Sequence, residues 1–271
     1  MKCFRLFVCT VFLAGGFAFS ATRSHAAGAE VFAHSTEMIV VTTPNWDAVE
    51  GRLQRFERAN AHAAWHPAGE PIPIVVGKNG LGWGIGLAAE DPSIRAAQEP
   101  VKKEGDGKSP AGIFDLGTAF GYAAEPLLGL KLPYLALTPS IECVDDARSK
   151  YYNRIVDRST VNPDWNSSEH MRNTGESYRW GIVVDHNGTV EGPGRNAPVS
   201  RGGSCVFIHI WHNSDQGTAG CTAMTQANLE ALMLWLDPAR KPLLVQLPEA
   251  AYARLAPRWK LPELNTAASA H

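Results

Sequence analysis

Short apolar runs separated by polar turns set the rhythm of this chain. Glu37 to Thr42 (EMIVVT) is nearly all apolar and predicts a first strand. After Thr43-Pro44, Trp46, Val49, Leu53 and Phe56 recur at helical spacing with charges between them, which predicts an amphipathic helix laid over the core. Ile72 to Val76 predicts a second strand. Lys78-Asn79-Gly80 then turns the chain into Trp83 to Leu87, as a tight-turned hairpin. The glycines at 77, 80, 82, 84 and 86 lack the lysine and hydroxyl spacing of a phosphate-binding loop, so they read as turn chemistry.

Glu104 to Lys108 is a polar loop. Its Asp106 has too few acidic neighbours for a calcium loop and reads as part of a solvated turn. Ser109-Pro110-Ala111-Gly112-Ile113-Phe114 leads back into apolar sequence, and Tyr134 to Ala136 is a short strand. Residues 142 to 179 lose both periodicities while holding Tyr151, Tyr152, Trp165, Glu169, His170, Arg172 and Tyr178. That combination predicts a long structured insertion, and ordered insertions often carry function.

Trp180 to Asp185 is a strand turned by His186-Asn187-Gly188. Pro193-Gly194-Arg195 and Arg201-Gly202-Gly203 bracket the loop that feeds a further strand, Cys205 to Ile210. Thr225 is a fitting N-cap for a helix whose Leu229, Leu232, Met233 and Leu236 form one face, ended by Asp237-Pro238. Pro242 to Leu247 is the last strand, and the alanine-rich tail after Leu264 should fray. The sum is a mainly β core with two or three packed helices, in one domain over residues 27 to 271.

Composition sharpens this picture in three places. A hydrophobic content of 45% against 19% charged residues is that of a folded globular chain. Met1 to Ala26 reads as a secretory signal peptide: Lys2 and Arg5 precede an apolar run from Leu6 to Phe19, and Ser24-His25-Ala26 is a small-x-small cleavage site. The mature chain is then exported, and no later segment is apolar for long enough to span a membrane. Losing Lys2, Arg5 and Arg23 leaves 22 basic against 27 acidic residues, a net charge of −5. That balance gives no basic footprint for a nucleic acid.

Cys3 and Cys9 leave with the signal, so Cys143, Cys205 and Cys221 remain. In an oxidising compartment an odd count leaves at least one thiol unpaired. The simplest division pairs Cys143 with Cys205 and frees Cys221; separate buried thiols are the alternative.

The stretch Gly203 to Met224 holds the chemistry. A histidine, His209, ends a buried strand, and Cys221 returns after a polar turn, just before a helical pattern whose N-terminal N–H groups would favour its thiolate. Cys205 shares a strand face with His209 but lies about 13 Å away along it, too far for a hydrogen bond. Strand alternation argues against metal binding by His209, His212 and Cys221, since residues three apart turn to opposite faces unless the strand breaks at Trp211. Cys221 as nucleophile with His209 as base is the arrangement left, against the plain alternative of a buried thiol and a satisfied core histidine.

His209, the polar turn and Thr218-Ala219-Gly220-Cys221 together resemble the signature of the L,D-transpeptidase (YkuD-like) catalytic domain. Ser109 to Phe114 resembles the same family's Thr/Ser-Pro-x-Gly-x-Phe segment. The resemblance runs from about Met38 to Leu247, with residues 142 to 179 as the insertion of a branch. It implies a β-sandwich or barrel core, Cys221 as nucleophile, His209 as general base oriented by the Ile210 carbonyl, and oxyanion donors at the N–H groups of Gly220 and Cys221. Ala219 and Ala223 stand where the family carries polar residues.

Thr218, Trp211 and His212 nearby, with Arg172, Tyr152 and Trp165 from the insertion, are the candidates for holding substrate; the plain alternative for each is a packing or surface role. The implied reaction is acyl transfer between peptidoglycan stem peptides, in the periplasm or at the cell wall, with no cofactor. Hydrolysis by the same site, as an L,D-carboxypeptidase, and a catalytically weak wall-binding protein are the alternatives.

Overall fold

The computed structural model describes residues 31 to 89, 91 to 190 and 197 to 264. The expected signal peptide, the Pro193-Gly194-Arg195 turn and the tail after Leu264 lie outside the described residues. Most strands belong to one sheet. β1 (Glu37–Thr43) pairs in parallel with β14 (Leu243–Pro248), which pairs antiparallel with the long β6 (Ser109–Gly121). β11 (Trp180–Val184), β12 (Phe207–Ile210), β13 (Thr222–Met224), β4 (Ile72–Val75) and β2 (Glu50–Glu57) follow in order, and β2 returns to β1. The sheet therefore closes as a barrel, which leaves its main strands without free edges.

Three shorter strands, β3 (His66–Pro67), β5 (Leu81–Trp83) and β7 (Tyr134–Ala136), hang from β2 and β6. Two α-helices among the described residues pack on the barrel. α1 (Gln226–Trp235) starts where the Thr225 hydroxyl accepts from the Asn228 N–H, and buries Leu229, Leu232 and Met233. α2 (Glu249–Trp259) buries Tyr252, Leu255 and Trp259.

The segment expected as a helix around Trp46 to Phe56 is instead strand β2. Leu53, Gln54 and Phe56 are all buried, so the spacing comes from a strand covered on both faces, not from a helical stripe. Leu53 lies opposite Val41 on one side and Ile72 on the other; pairing to two neighbours overrides the local pattern. The hairpin expectation also fails. Gly77 and Gly80 do form a tight turn, but β5 ends at Trp83 and runs parallel to β6. Gly77 is required by close approach, since a Cβ there would sit 2.3 Å from the Gly107 carbonyl oxygen.

The segment expected as an insertion, residues 142 to 179, is ordered and built on a small sheet of β8 (Ile141–Val144), β9 (Ile155–Asp157) and β10 (Ser168–His170) in the order β10-β8-β9. It packs on the outside of the barrel. Phe120, Val183 and Phe207 from barrel strands meet Leu137, Ile141, Met171 and Tyr178 there in a second apolar cluster, apart from the main core.

Asn153 anchors the insertion. Its backbone is left-handed (φ 59°), its amide donates to the His186 and Asn187 carbonyls, and its side-chain oxygen accepts from Thr189 Oγ1 and the Cys205 N–H. Replacement by alanine leaves buried donors and acceptors unpaired in a backbone conformation alanine disfavours. Asn153→Ala is expected to cost about 3 kcal/mol or more. A shift in the urea midpoint checks it, and a loss under about 1 kcal/mol would remove the anchor role.

Candidate active site

β12 and β13 place the candidate nucleophile and base. They are parallel neighbours, with Ile208 opposite Thr222, His209 opposite Ala223 and Ile210 opposite Met224. Side chains alternate along each strand. Ile208, Ile210 and Met224 thus enter the main core, while Phe207 turns to the insertion with Cys221, which immediately precedes β13. His209 and Cys221 are diagonal neighbours on that face, a separation of about 7–8 Å between backbones that ring and sulfur can narrow. Both open into one cleft of about 700 Å³.

His209 is 8% exposed, and its Nδ1 lies 2.9 Å from the Ile210 carbonyl oxygen. A carbonyl only accepts, so Nδ1 carries the hydrogen and Nε2 keeps its lone pair. Burial pushes the His209 pKa down to about 4, with the Ile210 hydrogen bond opposing, so the ring is neutral near pH 7. Among the described residues, Cys221 is the free cysteine, and it is buried. Burial first, then the charge of Glu169, push its thiol up to about 12, against smaller opposing effects of the Phe207 N–H, Lys102 and Tyr178. The resting pair is therefore thiol and neutral imidazole. A proton must leave Sγ as the new bond forms.

The expectation of a thiolate at a helix start is overturned: β13 separates Cys221 from α1, which begins at Gln226. Backbone anchoring replaces the helix. The Cys221 carbonyl accepts from Ser109 Oγ at 2.8 Å and from Thr218 Oγ1 at 2.6 Å, and Ser109 Oγ accepts in turn from the Gly77 N–H. The two sequence motifs are thus joined through one peptide group. Thr218 Oγ1 also accepts the Gly220 N–H at 3.1 Å. That N–H is engaged within its own turn, contrary to the expectation of a free oxyanion donor.

Of the residues expected to hold substrate, Thr218, Trp211 and His212 line the cleft, and His212 Nε2 lies 3.2 Å from Ser177 Oγ. His212 reaches this side because β12 stops at Ile210 and strand alternation no longer applies. Among the described residues, no His, Cys, Asp or Glu side chains group as a metal site.

The other three lie elsewhere. Arg172 stacks its guanidinium 4.1 Å from the Tyr122 ring centre. Buried Trp165 donates to Glu142 at 2.8 Å, and buried Tyr152 donates to Glu104 while accepting from the Gly203 N–H. They build the insertion and its seam with the barrel.

Cys143 and Cys205 form a disulfide that ties β8 to the segment entering β12. Cys205 itself is left-handed (φ 53°) and precedes the strand, which starts at Phe207. Asp106 accepts from Lys102 Nζ at 2.7 Å and from the Lys103 and Lys108 N–H groups, which is a turn held by its own donors. Lys102, Glu169 and Tyr178 also line the cleft, and the sequence reading did not place them at the site. Buried Lys102 was masked by its polar loop, and Glu169 and Tyr178 by a region without periodicity. The signal lay in Tyr178 and Glu169 being close in a stretch already marked as functional.

The chain matches no protein-family model, no curated protein and no solved structure. Among the described residues, no helix is long and apolar enough to cross a membrane.

Proposed function

We propose that this protein is an exported, cysteine-dependent peptidoglycan L,D-transpeptidase with the barrel of that family. One observation carries the reading: Cys221 and His209 share a face of the β12/β13 pair in one cleft, with His209 Nδ1 bound to the Ile210 carbonyl. Cys221 Sγ attacks a stem-peptide carbonyl as its proton passes to His209 Nε2, and that proton then goes to the leaving amine, leaving a thioester. An amine of a neighbouring stem attacks the thioester carbonyl; it loses a proton to His209, which returns it to the departing sulfur. A cross-link and a free thiol result.

Water in place of the second amine gives L,D-carboxypeptidase activity. Incubation with muropeptides followed by mass spectrometry separates the outcomes. Dimers support the transpeptidase reading, trimmed stems replace it with the carboxypeptidase, and unchanged peptides refute both.

A further inference from the structure

Beside the candidate nucleophile sits a carboxyl and phenol pair that the proposed reaction does not yet use. The Tyr178 hydroxyl donates to Glu169 Oε2 at 2.7 Å. The Tyr178 ring is buried, with its centre 5.4 Å from that of His209, 5.5 Å from Phe207 and 5.4 Å from Phe120. Both residues line the cleft, and Tyr178 packs in one buried cluster with Cys221, whose thiolate its hydroxyl favours; the Cys221 sulfur itself donates to the Cys205 carbonyl at 3.5 Å and accepts from the Phe207 N–H at 3.3 Å. A phenol has one hydrogen to give. In the structure Glu169 takes it.

We propose that Glu169 and Tyr178 form a proton-responsive pair that places the single phenolic hydrogen either on the Glu169 carboxylate or on the Cys221 sulfur, and so controls how readily Cys221 ionises. An ionised Glu169 holds the hydrogen and opposes a second negative charge nearby. A protonated Glu169 donates its own hydrogen to the phenolic oxygen, which frees the phenolic hydrogen for sulfur. The role of the pair in turnover rests on Cys221 being the nucleophile; the competition itself does not. Tyr178 and Glu169 are positioning residues in this scheme.

The surroundings place the changeover in a useful range. Glu169 keeps some exposure as a residue, but its carboxyl group is densely enclosed. Burial, with Asp145 and Glu104 adding to it and the Tyr178 hydrogen bond opposing, raises its pKa to about 7. The other ionisable groups facing the site are Lys102, which favours the Cys221 thiolate, His209 with His212 beside it, Tyr122, which acts on Tyr178, and His170, whose Nδ1 is bound to Glu142 at 3.1 Å. Wild type and Glu169→Gln carry all of them alike, so the difference between their profiles belongs to Glu169.

Iodoacetamide alkylation of the full chain, measured against pH and corrected with Cys221→Ala for other thiols, tests the pair without any peptidoglycan. In the wild type, the logarithm of the Cys221 rate should rise with pH and flatten near pH 7 as Glu169 ionises. Glu169→Gln should abolish the flattening and react about tenfold faster at mildly alkaline pH, one unit of thiol shift. Tyr178→Phe, which keeps the ring packing, should slow alkylation and shrink the effect of adding Glu169→Gln to less than half. Identical profiles for wild type and Glu169→Gln overturn the proposal, as does an undiminished Glu169→Gln effect without the phenol. Should Tyr178→Phe fail to fold, the Glu169→Gln profile alone decides. Failure of muropeptide turnover with a normal alkylation pattern would instead count against the transpeptidase reading.

Discussion

Cys221→Ala is expected to abolish formation of a covalent acyl adduct with stem peptides, and His209→Gln to slow it by about 10²–10⁴-fold. Intact-protein mass spectrometry after brief incubation reads both. The reasoning is geometric first: nothing else on this face of β12 and β13 pairs a nucleophilic atom with a lone pair held in place by a backbone carbonyl. The acid limb carries a further expectation. A His209 pKa pushed down to about 4 means that the base remains unprotonated well below the ordinary imidazole value. As pH falls, kcat/KM should therefore hold past 6.5 and fail closer to 4. Full adduct formation by Cys221→Ala, or an acid limb at or above 6.5, would show that the pair does not work this way.

Loss of the Cys143–Cys205 disulfide has the second largest expected effect, this time on stability. The bridge closes a loop with a sequence separation of 62 residues. A loop of that length corresponds to about 4 kcal/mol of lost unfolded-state freedom in the chain-entropy description. Cys143→Ser/Cys205→Ser should therefore lower the urea midpoint substantially, and reductant should do the same to the wild type while leaving the double variant unchanged. Equal midpoints for the two proteins under oxidising conditions would mean that the bridge is dispensable. Activity should fall with stability, because the bridge joins the insertion that walls the cleft to the segment leading into β12.

The sequence was most legible where burial is simple. β1, β4, β11, β14 and α1 follow continuous apolar runs or one-sided stripes, and the Thr225 cap was plain because its hydroxyl acts locally. β2 was misread because a strand covered on both faces can imitate helical spacing, and no local signal reveals that it pairs with both β1 and β4. α2 was overlooked although Tyr252, Leu255 and Trp259 repeat at helical intervals.

In the site, Cys221 and His209 stood out because an imidazole ending a buried strand needs a partner and a thiol returns after one short polar turn. Lys102, Glu169 and Tyr178 gather there only through long-range packing, and the engagement of the Gly220 N–H by Thr218 depends on how one turn folds. Arg172, Tyr152 and Trp165 have suitable chemistry for a ligand, yet their partners are Tyr122, Glu104 and Glu142.

The parallel pairing of β12 and β13 separates two design problems. The offset between His209 and Cys221 is set by main-chain register inside a closed sheet and by Thr218, which holds the Cys221 carbonyl, whereas residues 211 to 217 only have to return the chain towards the next strand. Those residues include Trp211, His212 and Gln216, all on the cleft wall. A change of sequence or length there reshapes the cleft wall while His209 and Cys221 keep their register.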